Sequence, residues 1–106
     1  MGSHKLLWHE ITAMVERQLR DLEPSAVDEL SGLIHKPRSW KTTVGGKTIY
    51  FTIWAEQETD GRLGVMVEGR QKGVLGISRV TSNGFYKTSD GAVVPFEERD
   101  LWSHGY

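Results

Sequence analysis

Cysteine is absent from this chain of 106 residues. Without a thiol the protein can form no disulfide, no thiolate-ligated zinc site and no cysteine nucleophile. The absence also fits a reducing compartment, so we expect a cytoplasmic protein. The sequence contains no apolar run near the roughly 18 residues of a membrane span and no long apolar N-terminal segment typical of a signal peptide. It therefore predicts neither a membrane segment nor export.

An excess of one charge and the common catalytic motifs are missing as well. The formal net charge is -1, which argues against the basic surface of a nucleic-acid-binding domain. The glycines form neither of the phosphate-binding loop motifs, and no serine stands in a G-x-S-x-G elbow. His9, His35 and His104 do not have the spacing of paired metal ligands. We predict no catalytic residue, no metal site and no cofactor.

The composition that is present suits one small globular domain. Charged residues make up 25% of the chain and hydrophobic residues 38%, an ordinary balance for a soluble protein. Residues 1–4, Met-Gly-Ser-His, resemble an expression-vector remnant. We therefore expect a single domain over residues 5–106.

The first part of the chain has a helical pattern. Residues 5–23 carry apolar side chains at spacings of three and four, which predicts an amphipathic helix. Its apolar stripe consists of Leu7, Ile11, Met14, Val15, Leu19 and Leu22. Pro24 ends this helix, because proline disfavours the α conformation at the residue before it. Ser25, with Asp28 three residues later, resembles a capping box and predicts a second helix that begins at Ser25 and ends before Pro37.

After the second helix the apolar residues alternate with polar ones, which predicts strands. The expected strands are Trp40–Val44, Lys47–Glu56, a third around Leu63, Val65 and Val67, then Val74–Thr81, Phe85–Lys87 and Ala92–Val94. Turns are expected at 45–46, 59–61, 71–73 and 89–91, a turn or bulge at 82–84, and a last helical turn at Glu97–Trp102. Short turns join antiparallel neighbours. The sequence therefore predicts an α+β fold with two N-terminal helices packed on one face of an antiparallel meander sheet of five to six strands.

The strand at Thr48–Glu56 organises the predicted sheet. Its side chains alternate strictly, with Ile49, Phe51, Ile53 and Ala55 on the face that packs against the helices. Tyr50 and Trp54 lie on the opposite, outer face. If Val65 and Val67 point inward, the outer face of the next strand carries Met66, Glu68 and Arg70.

These five outer-face residues are the candidate site. Aromatic residues, methionine and arginine are enriched in protein interfaces and their hot spots. The set Tyr50, Trp54, Met66, Glu68 and Arg70 therefore predicts a protein-binding surface, for another protein or a second copy of the chain. Two alternatives remain open: these residues are ordinary cross-strand partners that stabilise the sheet, or they form a small-ligand site. Aromatic residues beside basic strands also suit single-stranded nucleic acid, a weaker hypothesis at this net charge.

The C-terminal quarter carries a resemblance to known proteins. The run Gly84-Phe85-Tyr86, then Asp90-Gly91, Val94-Pro95 and Asp100-Leu101-Trp102, resembles the end of a family of small bacterial domains of unknown function. The size and the helix-then-meander layout are similar to small bacterial immunity proteins, which bind and neutralise a toxin domain. This resemblance implies a non-enzymatic protein-binding module that acts by steric neutralisation. The alternative is a ligand-binding or enzymatic domain with a pocket between helices and sheet.

Overall fold

The computed structural model describes residues 3–44, 46–72 and 78–97, which form two helices followed by five strands. The helices are α1 (Ser3–Leu22) and α2 (Val27–His35). The strands are β1 (Arg38–Val44), β2 (Lys47–Gln57), β3 (Leu63–Lys72), β4 (Ser78–Lys87) and β5 (Val93–Pro95). They pair antiparallel, and their order across the sheet is their order along the chain. The predicted α+β meander with N-terminal helices is confirmed.

Both helices pack on the same face of the sheet. α1 contacts β3 and β4, and α2 contacts β2. In the predicted stripe of α1, Ile11, Val15, Leu19 and Leu22 are buried and Met14 is half-buried. Among the described residues, neither helix has the length and apolar character needed to cross a bilayer.

The start of α2 differs from the prediction. Ala26, not Ser25, occupies the N-cap position, in an extended conformation and without a side-chain cap. The N–H of Ser25 instead donates to the carbonyl of Leu22 at 3.0 Å, so Ser25 belongs to the tight turn after α1. A capping box requires its first residue to stand directly before the helix. Because α1 ends at Leu22, just before Pro24, Ser25 still belongs to the turn that closes α1.

The inner face of the sheet forms the core. On β2 the residues Ile49, Phe51, Ile53 and Ala55 are all buried. They are joined by Leu63, Val65, Val67 and Phe85 from the neighbouring strands. Fully burying one such large apolar side chain is worth roughly 1.5–3 kcal/mol relative to leaving it exposed. The period-two pattern of β2 therefore sets which face of the sheet the helices cover.

The predicted turn at 82–84 does not exist. β4 runs unbroken through it, and Ser82, Asn83 and Gly84 pair with Glu68, Val67 and Met66 of β3. The predicted fourth and fifth strands are thus one strand in the described residues. Residues 73–77 lie outside the described residues, and so do residues 98–102 of the helical turn predicted at Glu97–Trp102. Asn83 accepts a hydrogen bond from the Gly84 N–H at 2.8 Å. A turn-like tripeptide can join a strand when its neighbour supplies a continuous ladder, because pairing overrides local preference.

One lysine is buried on the inner face. Lys87 is 6% exposed, and its Nζ donates a hydrogen bond to the main-chain carbonyl of Glu23, just beyond the end of α1. The last carbonyls of a helix have no partner within the helix and form the negative end of its dipole. The ammonium group therefore satisfies one of these carbonyls and fastens the end of α1 to β4.

Candidate functional site

The five predicted site residues lie on one face of the sheet. The register pairs Tyr50 with Arg70 and Trp54 with Met66, and it sets Glu68 between these two pairs on β3. A side chain built at Gly69 would meet Ile11 and Val15 of α1. Odd positions of β3 therefore face the helices, and the even positions that carry the site residues face away from them. The described helices leave this outer face uncovered.

The five site residues differ in how much of each side chain is exposed to solvent. Tyr50 is 43% exposed, and the side chain of Arg70 is 49% exposed. Trp54 and Glu68 are half-buried. Met66 is only 2% exposed, so its side chain is not available for direct contact with a partner, contrary to the expectation from the sequence. The accessible part of the set is centred on Tyr50 and Arg70.

Arg70 is held by a neighbour on its own strand. Its Nε donates to Oε1 of Glu68 at 3.2 Å, and its Nη2 lies 3.2 Å from the same oxygen. Exposed ion pairs of this kind contribute about 0–1 kcal/mol to stability. The main consequence of the pair is therefore orientation, because it keeps the guanidinium on the sheet surface beside Tyr50.

A second aromatic group lies on the outer face, at Gly84 opposite Met66 in the register, and was not predicted. Tyr86 is 5% exposed, and its ring centroid lies 4.5 Å from that of Phe96. Cζ of Arg62 lies 3.9 Å from the centroid of Tyr86, a cation–π distance. Gly84 has no side chain, and the ring of Phe96 covers the space that a side chain would occupy.

The glycines of β3 and β4 could have indicated this aromatic group from the sequence. β3 and β4 carry glycines at outer-face positions, and Gly64 stands directly opposite Tyr86 in the register. A glycine opposite an aromatic residue leaves room for the ring to lie flat on the sheet. The alternation of β4 could have placed Tyr86 on the outer face if the strand had been recognised as continuous.

Two turns of the same design close one end of the sheet. In each, the N–H of the first residue bonds to the carbonyl four residues later: Glu58 to Arg62 at 2.8 Å and Thr88 to Ala92 at 2.9 Å. Gly61 and Gly91 adopt positive φ angles of 91° and 90°. A type I turn followed by a left-handed glycine is a common hairpin connection. The Asp-Gly pairs of the sequence thus predict these turns correctly.

The turn carboxylates are structural acceptors. The Arg62 N–H, at 3.1 Å from Asp60, and the Arg62 guanidinium, at 2.7 Å, lower the pKa of Asp60. Hydrogen bonds from the Thr88 hydroxyl and, at 3.4 Å, the Ala92 N–H lower the pKa of Asp90. Both carboxylates are therefore held in their charged form, whereas a general acid needs a raised pKa.

The space between helices and sheet is occupied by the apolar core rather than by a polar cleft. Within the described residues, every buried side-chain nitrogen or oxygen has a hydrogen-bond partner. A groove of about 260 Å³ lies at the edge, between α1 and β4–β5, and Glu16, Arg20, Asn83 and Phe96 are among its lining residues. The part of the chain that the structure describes contains no group of three or more histidine and acidic residues that could hold a metal ion.

Comparison with known proteins gives no relative. No protein-family model, no curated protein and no solved structure matches this chain. The resemblances drawn from the sequence remain predictions, and the functional argument depends on the geometry of the outer face.

Proposed function

We propose that this protein is a small, non-enzymatic protein-binding module whose contact surface is the outer face of its sheet. The observation that carries this proposal is the exposure of Tyr50, at 43%, in direct register with Arg70 on a face that the described helices do not cover. Tyrosine offers a large contact area with few rotatable bonds, and arginine offers directional hydrogen bonds at the rim.

The residues beside Tyr50 and Arg70 on the outer face support the same surface. Lys41 of β1 pairs with Tyr50, so lysine, tyrosine and arginine lie side by side across three strands. Trp54 lies further along β2, half-buried beside Met66. An exposed tyrosine flanked by basic side chains, with a partly desolvated tryptophan on the same face, is a composition common in binding surfaces.

The partner class follows from the resemblance in layout. Small immunity proteins neutralise a toxin domain by covering it, and a steric role requires a preformed surface with no chemistry of its own. We propose a toxin domain as the first partner to test, with a second copy of this chain as the alternative occupant, because an exposed sheet face can pair isologously. The gene beside this one supplies the candidate protein.

The test compares three surface substitutions that leave the core intact. Binding to the product of the neighbouring gene is measured by calorimetry, and self-association by sedimentation velocity. Tyr50→Ala and Arg70→Glu are expected to weaken binding by about 30-fold or more, since hot-spot truncations cost about 2 kcal/mol or more. Glu16→Ala, an exposed change on α1, is the matched control and should bind as the wild type does.

The outcome that would contradict the proposal is equally specific. If a partner binds and all three variants bind it unchanged, with melting temperatures equal to that of the wild type, the outer face is not the contact surface. Tyr50 and Arg70 would then be exposed residues of the sheet that take no part in binding.

A further inference from the structure

The free edge of β1 is the feature that carries a further inference. β1 is the first strand of the sheet and pairs with β2 alone among the described strands. Three of its residues, Ser39, Lys41 and Thr43, are exposed and share the outer face with Tyr50. An open strand edge is the surface to which an extended segment of another chain can add.

The hydrogen-bond pattern of the sheet shows which main-chain groups this edge presents. The N–H of Glu58 donates to the carbonyl of Arg62, so even-numbered residues of β2 bond to β3. In an antiparallel ladder successive residues bond to opposite sides. Odd-numbered residues of β2 therefore bond to β1, and the register joins them to its even-numbered residues. The N–H and C=O groups of Ser39, Lys41 and Thr43 must then point to the open edge.

The charged residues of β1 and of the segments that flank it along the chain are all basic. Exposed basic residues stand at Lys36, Arg38, Lys41 and Lys47, and the sequence has no acidic residue between the first and the last of them. If β1 paired antiparallel with β1 of a second copy about Lys41, two lysines would stand opposite each other, which is unfavourable. The same charges attract an acidic strand. The edge is thus selective for an acidic strand over another copy of itself.

On the inner face of the sheet, this edge carries an aromatic side chain. Trp40 is half-buried, and its ring stacks on Phe51 with centroids 5.4 Å apart and an interplanar angle of 18°. A strand added beside β1 would place alternate side chains next to Trp40 and next to Lys41. The edge therefore presents an apolar ring on one face and an ammonium group on the other.

We propose that β1 accepts an extended acidic segment of a partner protein as an additional antiparallel strand. The segment alternates acidic side chains, beside Lys41, with apolar side chains, beside Trp40. This inference rests on the proposed function and deepens it, because the added strand extends the row formed by Lys41, Tyr50 and Arg70. The partner then covers the edge and the outer face together.

The probe is a short capped peptide in which glutamate and valine alternate, with a lysine–valine peptide as its charge-reversed control. In the free protein the amides of Ser39, Lys41 and Thr43 should exchange fast with solvent, while those of Trp40 and Thr42 exchange slowly. Saturation with the acidic peptide should slow the first three amides, as measured by NMR hydrogen exchange, and the lysine–valine peptide should leave them fast.

Two matched substitutions distinguish the effect of a charge at this edge from the effect of the net charge of the protein. Lys41→Glu should weaken binding of the acidic peptide by about tenfold and should allow the lysine–valine peptide to bind. Arg17→Glu makes the same change of charge at an exposed position of α1 and should have no effect. N-methylation of every second peptide nitrogen gives two peptides, of which only the one methylated on the side facing β1 should fail to bind.

Each remaining outcome contradicts a stated part of the inference. If saturating peptide leaves the β1 amides fast, or if both methylated peptides bind equally, strand addition is wrong. Sedimentation as a dimer that Lys41→Glu abolishes would make a second copy the occupant. If the peptide binds as expected but Tyr50→Ala leaves binding of the partner unchanged, the edge stands and the outer-face proposal fails. If Tyr50→Ala loses the partner and no peptide binds, the outer face stands and the strand-addition proposal fails.

Discussion

Replacing a glycine by alanine adds one methyl group to the protein. We expect this change to lower the free energy of unfolding at Gly69 and Gly84 and to raise it at Gly32. A Cβ at Gly69 would lie 2.9 Å from Cγ2 of Ile11, 3.1 Å from Cε1 of Phe51 and 3.3 Å from Cγ2 of Val15. All three contacts are closer than ordinary van der Waals distance, and all three side chains are held in the core. We expect Gly69→Ala to lower the free energy of unfolding by about 1–3 kcal/mol, the usual cost of overpacking.

Gly84→Ala should be more damaging, because the obstacle is main chain. Its Cβ would lie 2.5 Å from the carbonyl oxygen of Val65 and 2.8 Å from Cε2 of Phe96. The ring can move, but the carbonyl belongs to the neighbouring strand and cannot shift without distorting the ladder. We expect a loss of about 3 kcal/mol or more, with Phe96 displaced from the sheet.

Gly32→Ala is the control with the opposite sign. No atom lies within 4 Å of its Cβ position, and the residue is exposed within α2. Alanine is favoured over glycine in a helix by about 1 kcal/mol, partly because it has less freedom to lose from the unfolded chain. This variant should therefore be more stable than the wild type by up to about 1 kcal/mol.

Urea denaturation followed by circular dichroism measures all three changes. At constant m-value, the midpoint should move down for Gly69→Ala and Gly84→Ala and up for Gly32→Ala. For a domain of about 100 residues, 1 kcal/mol corresponds to roughly 4–8 °C in the melting temperature. A Gly69→Ala protein as stable as the wild type would refute the close approach of α1 to β3. A stable Gly84→Ala protein would refute the packing of the outer-face aromatic group.

Three further predictions concern the core, the buried lysine and the turn carboxylates. Ile53→Ala should cost about 2–5 kcal/mol in thermal unfolding, since Ile53 is 2% exposed; a loss below about 1 kcal/mol would contradict its place in the core. Lys87→Met should cost about 1–3 kcal/mol by leaving the Glu23 carbonyl unpaired, whereas Glu23→Ala keeps that main-chain acceptor and should not. Since folding lowers the pKa of Asp60 and of Asp90, their stabilisation is present above about pH 4 and is lost as the pH falls through their folded pKa values. Urea midpoints measured between neutral pH and about pH 3 should fall less in the double Asp→Asn variant than in the wild type.

Periodicity predicted the elements whose pattern is strong and whose boundaries are marked. The stripe of α1 repeats every three or four residues up to Pro24, and β2 alternates from Thr48 to Glu56. Gly45 and Gly46 separate two alternating runs, and Val44 pairs with Lys47 across them. In each case the local preference and the tertiary packing favour the same structure, so the sequence alone was sufficient.

Prediction failed where tertiary pairing overrides a local signal. Ser-Asn-Gly at 82–84 is a frequent turn sequence, yet these residues continue β4 because β3 offers a partner at every position. Dividing β4 at this point hid the outer-face position of Tyr86. The ring of Phe96 lies over Gly84, which stands opposite Met66 in the register, although Phe96 and Met66 are thirty residues apart in the sequence. Contacts of this separation have no periodic signature in a single sequence.

The exposed surface and the aromatic cover of Phe96 lie at different ends of the outer face. β5 has three residues and pairs with β4 only at Phe85–Lys87; directly after it Phe96 bonds to the Gly84 carbonyl at 3.2 Å and covers that end of the outer face. The row of Tyr50 and Arg70 lies several residues further along the sheet, toward the hairpin at Gly46, beyond the reach of this cover. At the same end β1 supplies Lys41 and an edge that pairs with none of the other described strands. The exposed Tyr50, the basic side chains and the outer edge of β1 therefore lie together, at the end of the sheet away from Phe96.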